Sequence, residues 1–272
     1  MSNDFLHLPL GKIHYRKWGR GSRLLIAVHG YGAEAAMFEK LAPALNETFT
    51  IYAIDLPFHG QSKWEKASYQ LKDITAIFEL ILKKENANHC SLLGHSFGAR
   101  IAMKLIEQIG NQVETLYLLS PDGIRTRWLW TGYLVPGFLR PFVKKQLEKS
   151  DWLLRFAARL RKWGIMPLYV EKFLQRNLAT PATRDRLLGT WLSLNNFFVN
   201  NWRVKHLVRK HLIKVVAILG ERDKMLNQQA IQRFMENLPD ASYYNLPSNH
   251  LLNNDKLAAI LIANATTSPA SL

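Results

Sequence analysis

CSLLGHSFGAR, residues 90–100, is the stretch from which the fold is read. Ser91, Leu92 and Leu93 form an apolar-rich run that predicts the end of a buried strand. Gly94-His95-Ser96-Phe97-Gly98 is a G-x-S-x-G pattern, and Ala99 to Ile109 continues with helical spacing. A strand, a sharp turn and a helix with serine between them is the context that presents a hydroxyl as a nucleophile. The turn is tight enough to strain its central residue, and glycines on both sides let strand and helix approach without a Cβ clash. Ser96 Oγ is therefore expected at the edge of the sheet, beside the positive end of the following helix.

Outward from this stretch, apolar runs alternate with amphipathic ones. RLLIAVH (23–29), FTIYAID (49–55), TLYLLS (115–120) and IKVVAILG (213–220) read as strands buried on both faces. Residues 5–18 predict two short strands about Pro9-Leu10-Gly11. Helical spacing marks Ala35–Leu45, Tyr69–Lys84, the region near Gln228–Asn237 and Asp255–Asn264, and a further strand is expected near Ser242–Leu246. Such alternation implies an α/β fold, a mostly parallel sheet with helices on both faces. The rhythm breaks at Pro121-Asp122-Gly123. From residue 124 to 210 the chain is rich in tryptophan and basic residues, without a convincing strand. The expected organisation is a core of residues 1–123 and 211–272, interrupted by a helical lid at 124–210.

Composition narrows the chemistry. One cysteine, Cys90, excludes an internal disulfide and a thiolate metal cluster, and its place in the strand suits a small buried apolar residue. No H-E-x-x-H, Walker loop or G-x-G-x-x-G after a strand occurs, so neither a metal nor a cofactor is expected. The first residues lack the apolar core of a signal peptide, and no apolar run is long enough to span a bilayer, so the cytoplasm is the expected location. The net charge is +15, and residues 124–210 hold 18 Lys+Arg against 4 Asp+Glu. Nearly all the excess lies in this segment, which is expected to face something anionic.

These motifs resemble the α/β-hydrolase superfamily, specifically its serine hydrolases with a helical lid. The resemblance rests on the elbow, on His29-Gly30-Tyr31-Gly32 after a strand, and on Asp55-Leu56-Pro57-Phe58-His59-Gly60-Gln61-Ser62. It also rests on Gly220-Glu221-Arg222-Asp223 and Asn249-His250. It covers both halves of the core but not the middle of the chain. Phe58 stands where the family usually has glycine, and Asn249 stands where glycine is common. The resemblance implies an acyl-serine mechanism acting on a carboxylic ester or thioester, a small acyl substrate of lipid-like or anionic character. Ser96 would be the nucleophile, His250 the base, and Asp223 the acid that orients it, with Asp122 as the rival acid. The backbone N–H groups of Tyr31 and Phe97 would hold the oxyanion. Rival readings are a carbon–carbon bond hydrolase or acyltransferase in the same site, and a non-catalytic binding protein on this fold. Nothing in the sequence fixes the oligomeric state.

Within the lid, Asp151–Trp163 is two-faced. Leu153, Phe156, Ala157 and Leu160 share one side, and Arg155, Arg159 and Lys162 share the other. The apolar side is expected to pack inward, leaving the charges to water or to an anionic membrane surface, with peripheral attachment as the consequence. Nucleic acid is the weakest partner, since no binding motif accompanies the charge. The Gly- and Pro-broken stretch Trp128–Leu139 and a basic piece at Trp202–Ile213 complete the segment.

Overall fold

A computed structural model describes residues 2–124, 145, 151–166, 168–223, 226–250 and 255–266. Strands β1 (Ser2–Leu8) and β2 (Gly11–Trp18) form the antiparallel hairpin expected about Pro9-Leu10-Gly11. Next come β3 (Arg23–Val28), a 3-10 turn at Ala35–Phe38, helix α1 (Ala42–Leu45), β4 (Phe49–Ile54) and the two-residue β5 (Lys63–Trp64). Helix α2 (Leu71–Lys84), β6 (Cys90–His95), α3 (Phe97–Ile109) and β7 (Val113–Leu119) follow. The single helix expected over Ala35–Leu45 is broken in two. Pro43 has no N–H to give the preceding turn, so a continuous helix cannot run through it.

The strand order is β1-β2-β4-β3-β6-β7-β8-β9, where β8 is Lys214–Gly220 and β9 is Ala241–Leu246; β5 pairs with β2. From β4 to β9 every pairing is parallel, and only the β1, β2 and β5 pairings are antiparallel. Alternate residues of the central strands separate the two faces. Leu25, Ala27, Leu93, Tyr117, Val216 and Ile218 join one buried cluster with α1 and with α9 (Asp255–Thr266). Gly94, one residue beyond Leu93, points the other way and meets α3. On that side α3 packs beside α2 and α7 (Asn201–Lys210), and α8 (Gln228–Met235) lies against β8 and β9. Strands buried on both faces are largely apolar, and β8, buried throughout, is apolar from Val215 onward with Lys214 at its first position.

Between β7 and β8 the chain leaves this unit. Residues Trp128–Asn195 form a second unit, and Met1–Arg127 with Asn196–Leu272 form the first. The described helices of the second unit are α4 (Asp151–Lys162), α5 (Leu168–Leu178) and α6 (Pro181–Ser193). The boundary expected at residue 210 therefore falls later than the observed one. α7 buries Val204 and Val208 and packs on α3 of the first unit. The Trp128–Leu139 stretch lies outside the described residues.

Candidate active site

Ser96 closes the turn between β6 and α3 with φ 52° and ψ −116°. This is left-handed backbone that a non-glycine residue adopts only when its surroundings force it. Both flanking glycines are required by contact. A Cβ on Gly94 would lie 2.5 Å from Ala99 N and 2.6 Å from Gly98 C, and one on Gly98 would lie 2.6 Å from His29 O and collide with Val28 O. Ser96 N–H donates to Leu119 O at 2.9 Å, which anchors the turn to β7. Phe97 is the first residue of α3, so its amide has no partner within the helix.

Of the expected site residues, His250 and Asp223 are brought into contact. His250 Nδ1 lies 2.7 Å from Asp223 Oδ2, and the Asp223 side chain is fully buried. A carboxylate can only accept, so the shared proton sits on Nδ1 and leaves the Nε2 lone pair bare. Asp122 is engaged elsewhere. Its carboxylate lies 3.0 Å from Arg100 Nη2 and accepts Gly123 N–H at 2.8 Å. Arg100 sits one turn after Ser96 on a buried helix face, where an uncompensated guanidinium would be costly.

His95 connects this pair to the elbow, a role absent from the sequence reading. Its Nε2–H donates to the backbone oxygen of His250 at 3.0 Å, and the two rings meet edge-on with centroids 5.1 Å apart. His95 Nδ1 is buried without a hydrogen-bond partner. Burial, only partly opposed by the hydrogen bond to the His250 carbonyl, pushes the His95 pKa down to about 4, so the ring stays neutral at ordinary pH. No local pattern announces this contact, because its partners are 155 residues apart.

The Gly30-Tyr31-Gly32 turn lies against Ser96, since a Cβ on Gly30 would be 3.1 Å from Ser96 Cβ and 3.0 Å from His95 Nδ1. Two buried histidines hold it. His29 donates from Nδ1 to Gly30 O at 2.7 Å and accepts Leu56 N–H on Nε2 at 3.0 Å. His59 accepts Gly32 N–H on Nε2 at 3.2 Å and donates from Nδ1 to Pro57 O at 3.0 Å. Asp55 ties the next layer, lying 2.6 Å from His14 Nδ1 and accepting from Ala35 N at 2.6 Å and Gln61 N at 2.9 Å. The His-Gly and Asp-x-Pro-x-His-Gly spacings thus mark a clamp on the turn beside Ser96.

The two departures from the family pattern have different consequences. Phe58 has φ 67°, the left-handed region that a glycine occupies without strain. Its ring packs against Tyr69, which packs against Phe197, and Phe197 reaches Phe97 beside Ser96. Among the described residues, positive φ values at non-glycine positions do not include Asn249, so no glycine is needed there.

Cys90 is buried, and its thiol is pushed up to about 12 by desolvation, which makes it inert. Among the described residues no group of histidines, cysteines and carboxylates could hold a metal ion, and no helix is long and apolar enough to cross a membrane. Arg155, Arg159 and Lys162 are exposed on α4. The inward packing expected for this helix holds only in part. Ala157 is buried and Leu160 half-buried, whereas Phe156 is exposed.

A sequence profile described as the alpha/beta hydrolase fold matches residues 23–253, and the chain belongs to this family of α/β-fold hydrolases. An uncharacterized hydrolase, YugF, of Bacillus subtilis is 24% identical over 248 residues, covering 89% of this chain and 88% of its own length. A probable 1-acylglycerol-3-phosphate O-acyltransferase of rice is 30% identical over 172 residues, or 61% of this chain. That match spans only 36% of the rice protein. A carboxylesterase structure from Nitrososphaera gargenis shares the fold with a TM-score of 0.68 at 17% identity, covering 96% of this chain and 97% of that one.

Proposed function

We propose that this protein hydrolyses a carboxylic ester or thioester through an acyl-Ser96 intermediate. The observation that carries the reading is the buried Asp223 carboxylate at 2.7 Å from His250 Nδ1, with His250 packed on the residue that precedes Ser96. A serine hydroxyl is a weak nucleophile at neutral pH and needs a base. His250 Nε2 takes the proton as Ser96 Oγ attacks the acyl carbon. The carbonyl oxygen becomes an oxyanion, held by the N–H groups of Tyr31 and Phe97. As the intermediate collapses, the C–O or C–S bond breaks and His250 returns the proton to the leaving alcohol or thiol. Water then attacks the acyl-serine with His250 again as base, and the acid leaves. Asp223 stays ionised throughout, fixing the ring and stabilising the imidazolium. No step calls for a metal or a cofactor.

Acyl transfer is the second reading, favoured by the rice relative's name. It shares every step up to the acyl-serine and differs only in the hydroxyl that resolves it. Fluorophosphonate labelling and a p-nitrophenyl ester chain-length series, on wild type and Ser96→Ala, test the mechanism. Labelling and turnover should both vanish in the variant, with kcat down by about six orders of magnitude. Wild-type turnover by Ser96→Ala sinks the proposal. An added alcohol acceptor that diverts the acyl group into a new ester, in preference to water, selects transfer over hydrolysis.

A further inference from the structure

We infer that α4 and the residues just after it form a docking surface for an anionic lipid bilayer. The inference concerns the second unit alone and does not depend on the chemistry assigned to Ser96. On a helix with 100° between residues, Trp152, Phe156 and Trp163 fall within about 40° of one another. Trp163 keeps the helical geometry, its N–H donating to Arg159 O at 3.1 Å. These three rings are 46%, 48% and 67% exposed, and Ile165 and Leu168 continue the exposed apolar surface. Arg159, Arg155 and Lys162 fall directly beside this stripe and are exposed as well. Ala157, buried, marks the packed side of the helix, about 120° from the middle of the stripe and about 160° from Arg155. α4 therefore presents its aromatic stripe and its cations to the outside together, instead of burying the first and solvating the second.

Charge complementarity identifies the occupant. Residues 128–195 hold 12 Lys+Arg against 4 Asp+Glu, and within α4 Asp151 is the one acid against four basic residues. Of those four, Arg161 is matched inside the unit by Glu171 at 3.0 Å. Arg155, Arg159 and Lys162 are left facing outward. Nucleic acid would use the cations but gives no reason for Ile165 and Leu168 to stand exposed. An uncharged apolar partner would give no reason for the cations. A bilayer of acidic phospholipid satisfies both, because indole and phenyl rings enter the headgroup and acyl boundary while flanking basic residues meet phosphate.

The test uses the full chain and sedimentation with extruded vesicles of phosphatidylcholine alone or with about 30% phosphatidylserine. Each basic residue near an anionic surface contributes about fivefold in partitioning. The three together predict a preference for anionic vesicles of about 100-fold at low salt, reduced toward tenfold at physiological ionic strength. Arg155→Gln/Arg159→Gln/Lys162→Gln should remove most of the preference. Trp152→Ala/Phe156→Ala/Trp163→Ala should lower binding to anionic vesicles at least tenfold with the cations intact. Circular dichroism confirms that each variant is folded, and the wild-type comparison stands without them. Equal wild-type partitioning into neutral and anionic vesicles overturns the inference. Loss in the charge variant but not the aromatic one overturns it too, showing simple electrostatic adsorption. So does binding of an oligonucleotide or of polyglutamate as tightly as anionic vesicles at the same salt.

Discussion

Two aspartates compete for the role of acid, and replacing each by asparagine separates catalysis from stability. Asp223→Asn puts an amide against His250 Nδ1, 2.7 Å away, and an amide NH2 donates where the carboxylate accepted. The imidazole then holds its proton on Nε2, the atom that accepts from Ser96 in the proposed mechanism. A loss in kcat of about 10⁴ is expected, equivalent to about 5.5 kcal/mol in the barrier. Stability should hardly change or should rise, since a buried carboxylate is removed. Asp122→Asn acts on Arg100 instead. The side chains are 5% exposed for Arg100 and 15% for Asp122. Removing one partner of a buried pair costs about 3–5 kcal/mol. Asparagine keeps one oxygen for the guanidinium, which lowers the expected cost to about 2 kcal/mol. For a chain of this size that is a fall in Tm of about 4–8 °C. Ester turnover per folded molecule should stay within about tenfold of wild type, since Asp122 is outside the His250 contact. Steady-state kinetics on a short p-nitrophenyl ester and a thermal melt measure both quantities on the same samples. A collapse of kcat in Asp122→Asn with near-normal kcat in Asp223→Asn refutes the assignment.

Two further predictions follow from packing. Gly94→Ala drives a methyl group against Gly98 and Ala99 of α3, so it should cost about 3 kcal/mol and slow fluorophosphonate labelling; unchanged melting and labelling contradict the close approach. His95, held neutral with its pKa lowered to about 4, has an unfolded-state value near 6.5, so the stability it contributes is complete above pH 6.5 and is lost as pH falls toward 4. His95→Asn should therefore lose less stability than wild type over that window, by about 1.4 kcal/mol per pH unit, in urea titrations; parallel curves refute the buried neutral ring.

Wherever one short stretch carries its own physical signature, the sequence is legible. The buried strands announce themselves as continuous apolar runs, and the elbow as two glycines about a serine. Contacts between distant residues leave no such trace. The hydrogen bond from His95 to His250 spans 155 residues, and that between His14 and Asp55 spans 41. The pairing of Asp122 with Arg100 is more accessible than the motif comparison suggests. Arg100 lies on an apolar helix directly after the elbow, and a cation there requires a carboxylate at the neighbouring strand end, which is Asp122. For α4, helical spacing separates apolar from basic positions correctly but does not say which direction is buried. Only tertiary packing fixes that direction. It selects Ala157 and leaves Phe156 outside, because amphipathicity measures contrast around a helix and not contact.

Phe58 shows why a departure from a family pattern has to be read through backbone geometry. With φ 67° it occupies a conformation in which a side chain costs about 1–2 kcal/mol relative to glycine. Neighbouring Gly60 is also left-handed, with φ 52°, and there a side chain is forbidden outright because its Cβ would enter the Asp55 carboxylate. At residue 58 the strain has an offset. The ring packs against Tyr69 in a tilted pair, and through Phe197 it joins an aromatic chain that ends at Phe97, the residue after Ser96. An aromatic pair contributes about 0.5–1.5 kcal/mol beyond its buried area, enough to balance the strain. The substitution therefore replaces the conformational freedom of glycine with a side-chain prop running to the first turn of α3. Ser96 and the Phe97 amide are held in that same turn.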